Sequence, residues 1–246
     1  MKNYFVAFFD ILGFKNLVEK NSHEELMDIY KVCLYENLNM NENISDSIFN
    51  RFTPAKEKTS SEIRTFVISD SIILVQNDMT QRGFLNLIAK CQVILSSSLA
   101  EGIPLRGALS YGPVTIIENQ RGTTIVGRGL TKAYSLESAQ QWSGGVIDKE
   151  CFGLFPEINS DEFIQNLIGN LKNPLILKYY IPLKENKFIS GYGFNWPQYN
   201  LLKDENEVVS SFTKHKKEIS TEKEKLMIKN TVKYFLHGRN LLKIND

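Results

Sequence analysis

Two aspartates of this 246-residue chain each follow directly on an apolar, strand-like run. Asp10 follows the run 4–9, and Asp70 follows the run 66–68 inside the turn Ser69-Asp70-Ser71. Two carboxylates at neighbouring strand ends can hold two divalent cations, which prefer oxygen ligands. Such a pair of cations polarises both ends of an in-line phosphoryl displacement. The two aspartates therefore indicate a protein that acts on nucleotides.

The overall composition narrows the classes of partner and site. The chain has 29 Lys and Arg against 28 Asp and Glu, a net charge of +1, so it has no overall field to attract nucleic acid or an acidic membrane. Cys33, Cys91 and Cys151 lie far apart without a CxxC pair, which disfavours a disulfide framework and a zinc site. The first apolar run contains Asp10, unlike a signal peptide or a membrane span. We expect a cytoplasmic protein that neither inserts into membranes nor binds nucleic acid.

The elements that would position the two aspartates follow from the spacing of apolar residues. The continuous apolar run 4–9 predicts a central strand, and helical spacing over 14–34 predicts a long or broken helix. Ser22, with acidic residues behind it, predicts that the helix restarts there. Residues 63–75 predict a β-hairpin with Asp70 at its tip.

The middle of the chain predicts alternating strands and helices. Apolar residues over 84–99 predict a helix that stops near Gly102 and Pro104. Further predicted elements are a strand over 105–117, interrupted at Gly112-Pro113, strands at 123–126, 145–148 and 175–181, and a helix over 127–138. Together these elements predict an α+β fold, with a mainly antiparallel sheet and helices on one face.

The composition changes at about residue 184. A glycine and aromatic segment at 191–197 predicts a loop, and a charged stretch at 214–225 leads into a predicted helix over 219–236. We therefore predict one domain over residues 1–183. Residues 184–246 are predicted to form a helical C-terminal extension that packs on this core or on a second subunit.

Four segments carry a family resemblance. They are Phe-Asp-Ile-Leu-Gly-Phe at 9–14, the turn at 69–71, Leu-Arg-Gly-Ala-Leu-Ser-Tyr-Gly-Pro-Val at 105–114, and 126–137, which ends in Ala-Tyr-Ser-Leu-Glu. In this order they resemble the class III nucleotidyl cyclases, over roughly residues 4–181, and most of all the bacterial pyrimidine cyclases of Pycsar antiphage systems. The resemblance implies a class III cyclase-type, ferredoxin-like core and a homodimer with two sites between its protomers. It also implies a product that acts on a separate effector.

The resemblance assigns roles to individual residues. Asp10, Asp70 and the carbonyl of Ile11 match positions that bind two Mg²⁺ or Mn²⁺ ions. One ion would help the ribose 3′-hydroxyl lose its proton, and the other would neutralise the triphosphate. Phe14 opens a helix whose free N–H groups would face the phosphates. Arg106 matches an arginine that grips phosphate, for which a planar fork of donors is well suited.

The chain also departs from the purine cyclases of this family. Thr131 and Ser135 stand where those enzymes carry a transition-state Asn and Arg. The basic residues that could replace them are Arg121, Arg128 and Lys132. Phe66 stands four residues before Asp70, where adenylyl cyclases carry a base-reading Lys. An aromatic ring can stack on a base and lacks the hydrogen bonds that read purines. The resemblance therefore favours a pyrimidine nucleoside triphosphate, UTP rather than CTP.

Other interpretations of the same residues stay open. Phe66 is also typical of a core aromatic, Arg106 of an ion pair, and Thr131 and Ser135 of a helix surface. At the level of the whole protein, the alternatives are an adenylyl or guanylyl cyclase and a non-catalytic cyclase-like module for binding or dimerisation. A two-metal polymerase palm is disfavoured by the neutral charge.

Overall fold

The computed structural model describes residues 2–36, 63–155, 164, 167 and 174–244. Its strands are β1 (Lys2–Ile11), β2 (Ile63–Ile68), β3 (Ser71–Gln76), β4 (Leu105–Asn119), β5 (Gly122–Val126), β6 (Gly144–Ile147), β7 (Ile176–Pro182) and β8 (Phe188–Phe194). Its α-helices are α1 (Phe14–Lys20), α2 (His23–Tyr30), α3 (Gln81–Ala100), α4 (Arg128–Ser138), α5 (Glu205–Ser211) and α6 (Glu222–Ile244). Short 3₁₀ turns lie at Lys149–Leu154, Lys184–Asn186 and Trp196–Tyr199, and a π-helical turn lies at Lys31–Glu36.

The strands form one sheet in the order β2-β3-β1-β4-β6-β8-β7, with β5 paired to the far half of β4. Every neighbouring pair is antiparallel except β4 and β6, which are parallel. The predicted α+β class with a mainly antiparallel sheet is therefore confirmed.

Helices cover both faces of the sheet, and the prediction of helices on one face is wrong. Phe5, Ala7 and Phe9 of β1 face a large core that includes α3, whereas Val6 and Phe8 face a smaller core under α4. A central strand buried on both sides has a continuous apolar run instead of an alternating one. The run in β1 therefore indicated burial, but it could not show which helix would cover which face.

The predicted restart of the helix at Ser22 is confirmed as a capping box. The hydroxyl of Ser22 accepts from the N–H of Glu25 at 3.2 Å, and the carboxylate of Glu25 accepts from the N–H of Ser22 at 2.9 Å. This reciprocal pair satisfies two backbone donors that a helix start otherwise leaves free. The predicted hairpin over 63–75 is also present, as β2 and β3.

Helix α3 is long and apolar enough to cross a membrane by length and composition, and 83% of that stretch is buried inside the protein. Phe84, Leu87, Ile88 and Cys91 lie in the large core, which explains the apolar composition. The helix ends at Ala100, with Glu101 as its C-cap, and Gly102 follows at a left-handed φ of 85°, as expected for the predicted glycine terminator.

Strand β4 continues through Gly112-Pro113, where an interruption was expected. Its partner β6 pairs with Arg106–Leu109 alone, so that at Pro113 β4 has a neighbouring strand on one side, which is β1. A proline is tolerated at such an edge position because one side of the strand needs no N–H donor.

The predicted loop at 191–197 is in fact the end of strand β8 followed by a 3₁₀ turn. Its glycine reflects a close approach: a Cβ on Gly193 would lie 2.5 Å from the hydroxyl of Tyr234 in α6. That hydroxyl donates to the carbonyl of Phe194 at 2.9 Å. Helix α6 thus packs against β8. The side chain of Tyr234 has room because β8 carries a glycine, Gly193, at the point of contact.

Residues of the predicted extension lie inside the sheet. Strand β8 is hydrogen-bonded to β6 on one side and to β7 on the other, and the predicted boundary at residue 183 falls between β7 and β8. Tyr234 of α6 is fully buried, with ring centroids 4.4 Å from Trp142 and 4.9 Å from Tyr179. The predicted helix over 219–236 is observed as α6, shifted toward the C-terminus.

Candidate active site

Asp10 and Asp70 meet at one end of the sheet. Asp10 is the penultimate residue of β1 and pairs with Ser71, the first residue of β3. The N–H of Ile11 donates to the carbonyl of Asp70 at 2.9 Å, which ties the turn before β3 to the end of β1. The structure therefore brings together Asp10, Ile11 and Asp70, the three residues singled out as metal ligands.

The electrostatics around Asp10 suit a cation. Burial raises the pKa of Asp10 and Arg106 opposes that rise, while the negative charge of Asp70 raises the pKa further and Lys184 lowers it, so that the net shift is upward. A divalent cation shared by the two carboxylates would relieve their repulsion, and their hard oxygen atoms fit Mg²⁺ or Mn²⁺. Among the described residues no group of three or more His, Cys, Asp or Glu is placed to hold a metal ion, so the two carboxylates remain the candidate acidic ligands.

Tyr30 of α2 holds the turn that carries Asp70. Its hydroxyl donates to the carbonyl of Ser69 at 2.8 Å, and Ser69 has a left-handed φ of 55°. Burial and the charge of Asp70 raise the pKa of Tyr30 to about 12, so the hydroxyl keeps its proton and remains a donor. The ring of Phe14 meets the ring of Tyr30 edge to face at 6.3 Å. From the sequence, Tyr30 was predicted only as one of the apolar residues at helical spacing over 14–34.

Arg106 lies opposite Asp10 in the pairing of β1 with β4, and its guanidinium is held by protein groups. Nε donates to the carboxylate of Glu137 in α4, and Nη1 donates to the carbonyl of Gln140 at 3.2 Å. Nη2 lies 3.7 Å from Oδ2 of Asp10. Sequence reasoning found Arg106 and missed these partners, although Glu137 closes the Ala-Tyr-Ser-Leu-Glu segment.

Lys184 is a second cation that faces this cluster. Its N–H donates to the carbonyl of Ala139 at 2.9 Å, which ties the β7–β8 turn to the end of α4. Burial lowers the pKa of Lys184, as do the charges of Arg106 and Lys223, whereas Glu137 and Asp10 raise it. Lys184 could not be predicted from local patterns, because its neighbours in this cluster are distant in the chain.

Thr131 and Ser135 lie on the solvent-exposed side of α4. Each hydroxyl donates to the carbonyl four residues earlier, at 3.2 Å for Thr131 and 2.9 Å for Ser135. Within the described part of the chain, neither hydroxyl is hydrogen-bonded to Asp10 or Asp70. The structure therefore does not bring these two residues to the aspartates of the same chain.

The three basic residues considered as replacements differ in their environment. Lys132 is bound by the carboxylates of Asp148 at 2.5 Å and Glu150 at 2.6 Å, so its charge is already compensated. Arg121 and Arg128 are exposed.

Phe66 lies on the same face of the sheet as Asp10. The register pairs Asp10 with Ser71 and Ser71 with Ile68, and the next row on this face contains Phe8, Ile73 and Phe66. Phe66 is half-buried, with the guanidinium of Arg64 5.3 Å from its ring centroid.

A groove of about 300 Å³ opens over this part of the sheet. The residues that line it are Phe66, Val67, Ile68, Ile73, Thr123 and Ile125. Strand β5 closes one side, and an ion pair between Arg64 and Glu118 ties the β4–β5 hairpin to β2. The groove lies one row of side chains from the carboxylates, roughly 7 Å along the strands.

Among the comparisons with known proteins, only the comparison with solved structures found similar proteins. No protein family matches the chain, and no curated protein matches it. The adenylyl cyclase CyaB from P. aeruginosa is similar at 19% identity over 78% of this chain and 93% of that chain, with a TM-score of 0.41. The guanylyl cyclase domain of RhoGC from the aquatic fungus Blastocladiella emersonii is similar at 16% identity over 79% and 96%, with a TM-score of 0.47. Adenylate cyclases from Trypanosoma brucei are similar at 10% identity over 80% and 90%, with a TM-score of 0.42.

Proposed function

We propose that this protein is a nucleotidyl cyclase that uses two divalent cations, Mn²⁺ or Mg²⁺. Its reaction would convert a nucleoside triphosphate to the 3′,5′-cyclic monophosphate and pyrophosphate. The proposal depends on one observation, the meeting of Asp10 and Asp70 at adjacent strand ends on one side of the sheet. The resemblance of four segments, in order, to the class III cyclases supports it.

Each residue of the site would have a defined task. Asp10, Asp70 and the carbonyl of Ile11 would hold the cations, which when bound would promote deprotonation of the 3′-hydroxyl and neutralise the triphosphate. Tyr30 keeps the Asp70 turn in place through Ser69. In-line displacement at phosphorus requires positioning more than covalent chemistry from the protein, so these rigid contacts matter for the rate.

We further propose that the substrate is a pyrimidine nucleoside triphosphate, with UTP favoured over CTP. The base would lie in the groove beside Phe66, which stands where adenylyl cyclases carry a base-reading Lys and whose ring can stack on a base. Of the six described lining residues only Thr123 has a polar side chain, so this described lining offers no hydrogen-bonding pair of the kind that reads a purine. The alternative is an adenylyl or guanylyl cyclase, the activities named for the structural relatives.

The resemblance also suggests how the site is completed. We propose a homodimer in which α4 of one protomer faces the aspartates of the other, so that Thr131 and Ser135 would approach the partner's substrate. Their exposure in the single chain is consistent with this arrangement. The proposed physiological role is a cytoplasmic second messenger in antiphage defence, which a separate effector would read.

The test is a nucleotide panel. The full-length protein is incubated with Mn²⁺ and, separately, ATP, GTP, CTP and UTP, and products are identified by mass spectrometry. We expect a cyclic pyrimidine monophosphate and pyrophosphate, most from UTP. Cyclisation of ATP or GTP alone would reject the pyrimidine proposal and leave the cyclase proposal intact.

A variant pair separates catalysis from mere binding. Asp70→Asn should abolish cyclisation, because one metal ligand is lost, whereas Asp28→Asn on the exposed side of α2 should retain it. Cyclisation by Asp70→Asn at the wild-type rate would contradict the metal role. Absence of any cyclic product from the wild-type protein under all four conditions would favour a non-catalytic module.

A further inference from the structure

Glu137 is a buried carboxylate that the proposed chemistry does not use. Its side chain is 2% exposed, although it lies on a surface helix, and its neighbours on the covered side of α4 include the apolar Ala133. A buried charge is costly unless it is paired and hydrogen-bonded. The guanidinium of Arg106 provides that pairing.

The contacts of Arg106 are unequal on its two sides. Toward α4, Nε donates to Glu137 and Nη1 donates to the carbonyl of Gln140. Toward β1, Nη2 lies 3.7 Å from Asp10, which is longer than the 2.7–2.9 Å typical of a charge-assisted hydrogen bond. The guanidinium is thus attached to α4 and only adjacent to Asp10.

Glu137 and Asp10 lie on opposite sides of the Arg106 guanidinium. Without Glu137, Arg106 would lose its charged partner on α4 and be free to form a full ion pair with Asp10.

We propose that Glu137 is a positioning residue for the metal site: it holds Arg106 against α4 and so keeps the Asp10 carboxylate available to a divalent cation. The inference rests on the proposed function only in taking Asp10 and Asp70 as the cation ligands. Glu137 itself touches neither cation nor substrate in this role. It acts through Arg106, as outer residues act through metal ligands elsewhere.

The experiment measures Mn²⁺ binding to the full-length protein without nucleotide, by the loss of the electron paramagnetic resonance signal of free Mn²⁺. Glu137→Gln should weaken Mn²⁺ binding about ten-fold, the lower end of the range for outer residues of metal sites. The control is Glu150→Gln, which removes the same charge from an exposed ion pair with Lys132 and should leave Mn²⁺ binding unchanged. Wild-type Mn²⁺ binding by Glu137→Gln would overturn the inference.

A second background tests whether Glu137 acts through Arg106. In Arg106→Met, the further change Glu137→Gln should alter Mn²⁺ binding less than two-fold, because coupled residues are not additive. A full ten-fold effect in that background would overturn the inference. If Glu137→Gln does not fold, Arg106→Lys replaces it, since lysine keeps the charge without the fork that spans Glu137 and Gln140. Weaker Mn²⁺ binding by Arg106→Lys supports the inference, and wild-type binding contradicts it.

Asp70→Asn separates this inference from the proposed function. If that variant binds Mn²⁺ like the wild type, the metal site itself is wrong. If Mn²⁺ binding depends on Asp70 but is unchanged in Glu137→Gln, the inference about Glu137 fails alone.

Discussion

Two regions of the proposed site differ: one chain alone holds together the strand end that carries the aspartates, but it does not bring the exposed side of α4 to them. At the strand end, the N–H of Ile11 donates to the carbonyl of Asp70, and the hydroxyl of Tyr30 donates to the carbonyl of Ser69 in the same turn. On α4, the hydroxyls of Thr131 and Ser135 each donate to the carbonyl four residues earlier. The proposed metal-binding half is thus built by one chain, whereas in the proposed homodimer the other half would be completed by a second chain.

The largest expected effect on turnover is at the strand end that carries the aspartates. Asp10→Asn should reduce turnover by about a hundredfold or more, because losing a ligand costs at least as much as losing an outer residue. Initial rates at saturating Mn²⁺ measure this, with Asp28→Asn as the control. If turnover stayed within two-fold of the wild type, Asp10 would not be a metal ligand and the strand end would not be the metal-binding region.

The next largest effect is expected on the exposed side of α4, where the proposed dimer would form. Thr131→Arg puts a bulky charge on the helix face of the proposed interface and should weaken dimerisation about ten-fold, with turnover falling in parallel. Sedimentation equilibrium measures the dimer. Thr213→Arg is the matched control, because Thr213 is also exposed and its hydroxyl also donates to a helix carbonyl. An unchanged dimer and unchanged turnover would show that the exposed side of α4 is surface alone.

A smaller effect is expected from Tyr30 of α2, which contacts the turn that carries Asp70. Tyr30→Phe removes the hydrogen bond to Ser69 and should cost about 1 kcal/mol of unfolding free energy. Turnover should fall several-fold, because the turn that carries Asp70 loses its tie. Urea unfolding and initial rates give both values. Tyr180→Phe, which removes a hydroxyl from an exposed tyrosine of β7, is the control and should change neither.

The smallest effect is a gain in stability without metal. The pKa of Asp10 is raised in the folded protein, first by burial and in part by Asp70, so ionised Asp10 opposes folding above its folded pKa and this penalty fades as the pH falls through that value. Asp70→Asn removes the repulsive charge and should raise the melting temperature at pH 7 by about one to two degrees. Thermal unfolding in chelator measures it. At pH 3, where Asp10 is protonated in either protein, the difference should disappear; a lower melting temperature at pH 7 would contradict the account.

Local patterns predicted much of the fold. The strand at 4–9, the restart at Ser22 and the hairpin around Asp70 depend on residues close together in the chain, and each is present. The errors came from residues whose roles depend on distant partners. Gly193 indicated a loop because its sequence neighbours suggest one, yet it makes room for Tyr234, which lies more than forty positions away. Pro113 suggested a break, and the early end of β6 makes it harmless.

The same distinction applies to the candidate site. Asp10 and Asp70 could be found because each closes a strand-like run, a feature written in the residues around it. Glu137 and Lys184 could not be linked to Arg106 from the sequence, because α4 and the β7–β8 turn reach it only after the sheet has formed.

By itself, the amino-acid sequence determined the secondary structure around both aspartates and the chemistry that a carboxylate pair can perform, since strand, turn and cap preferences act over a few residues. Only the tertiary structure decided that Arg106 is held by Glu137, that helices cover both faces of the sheet, and that β8 lies within it. Those features depend on ion pairs, strand order and packing between distant segments, for which no local pattern exists.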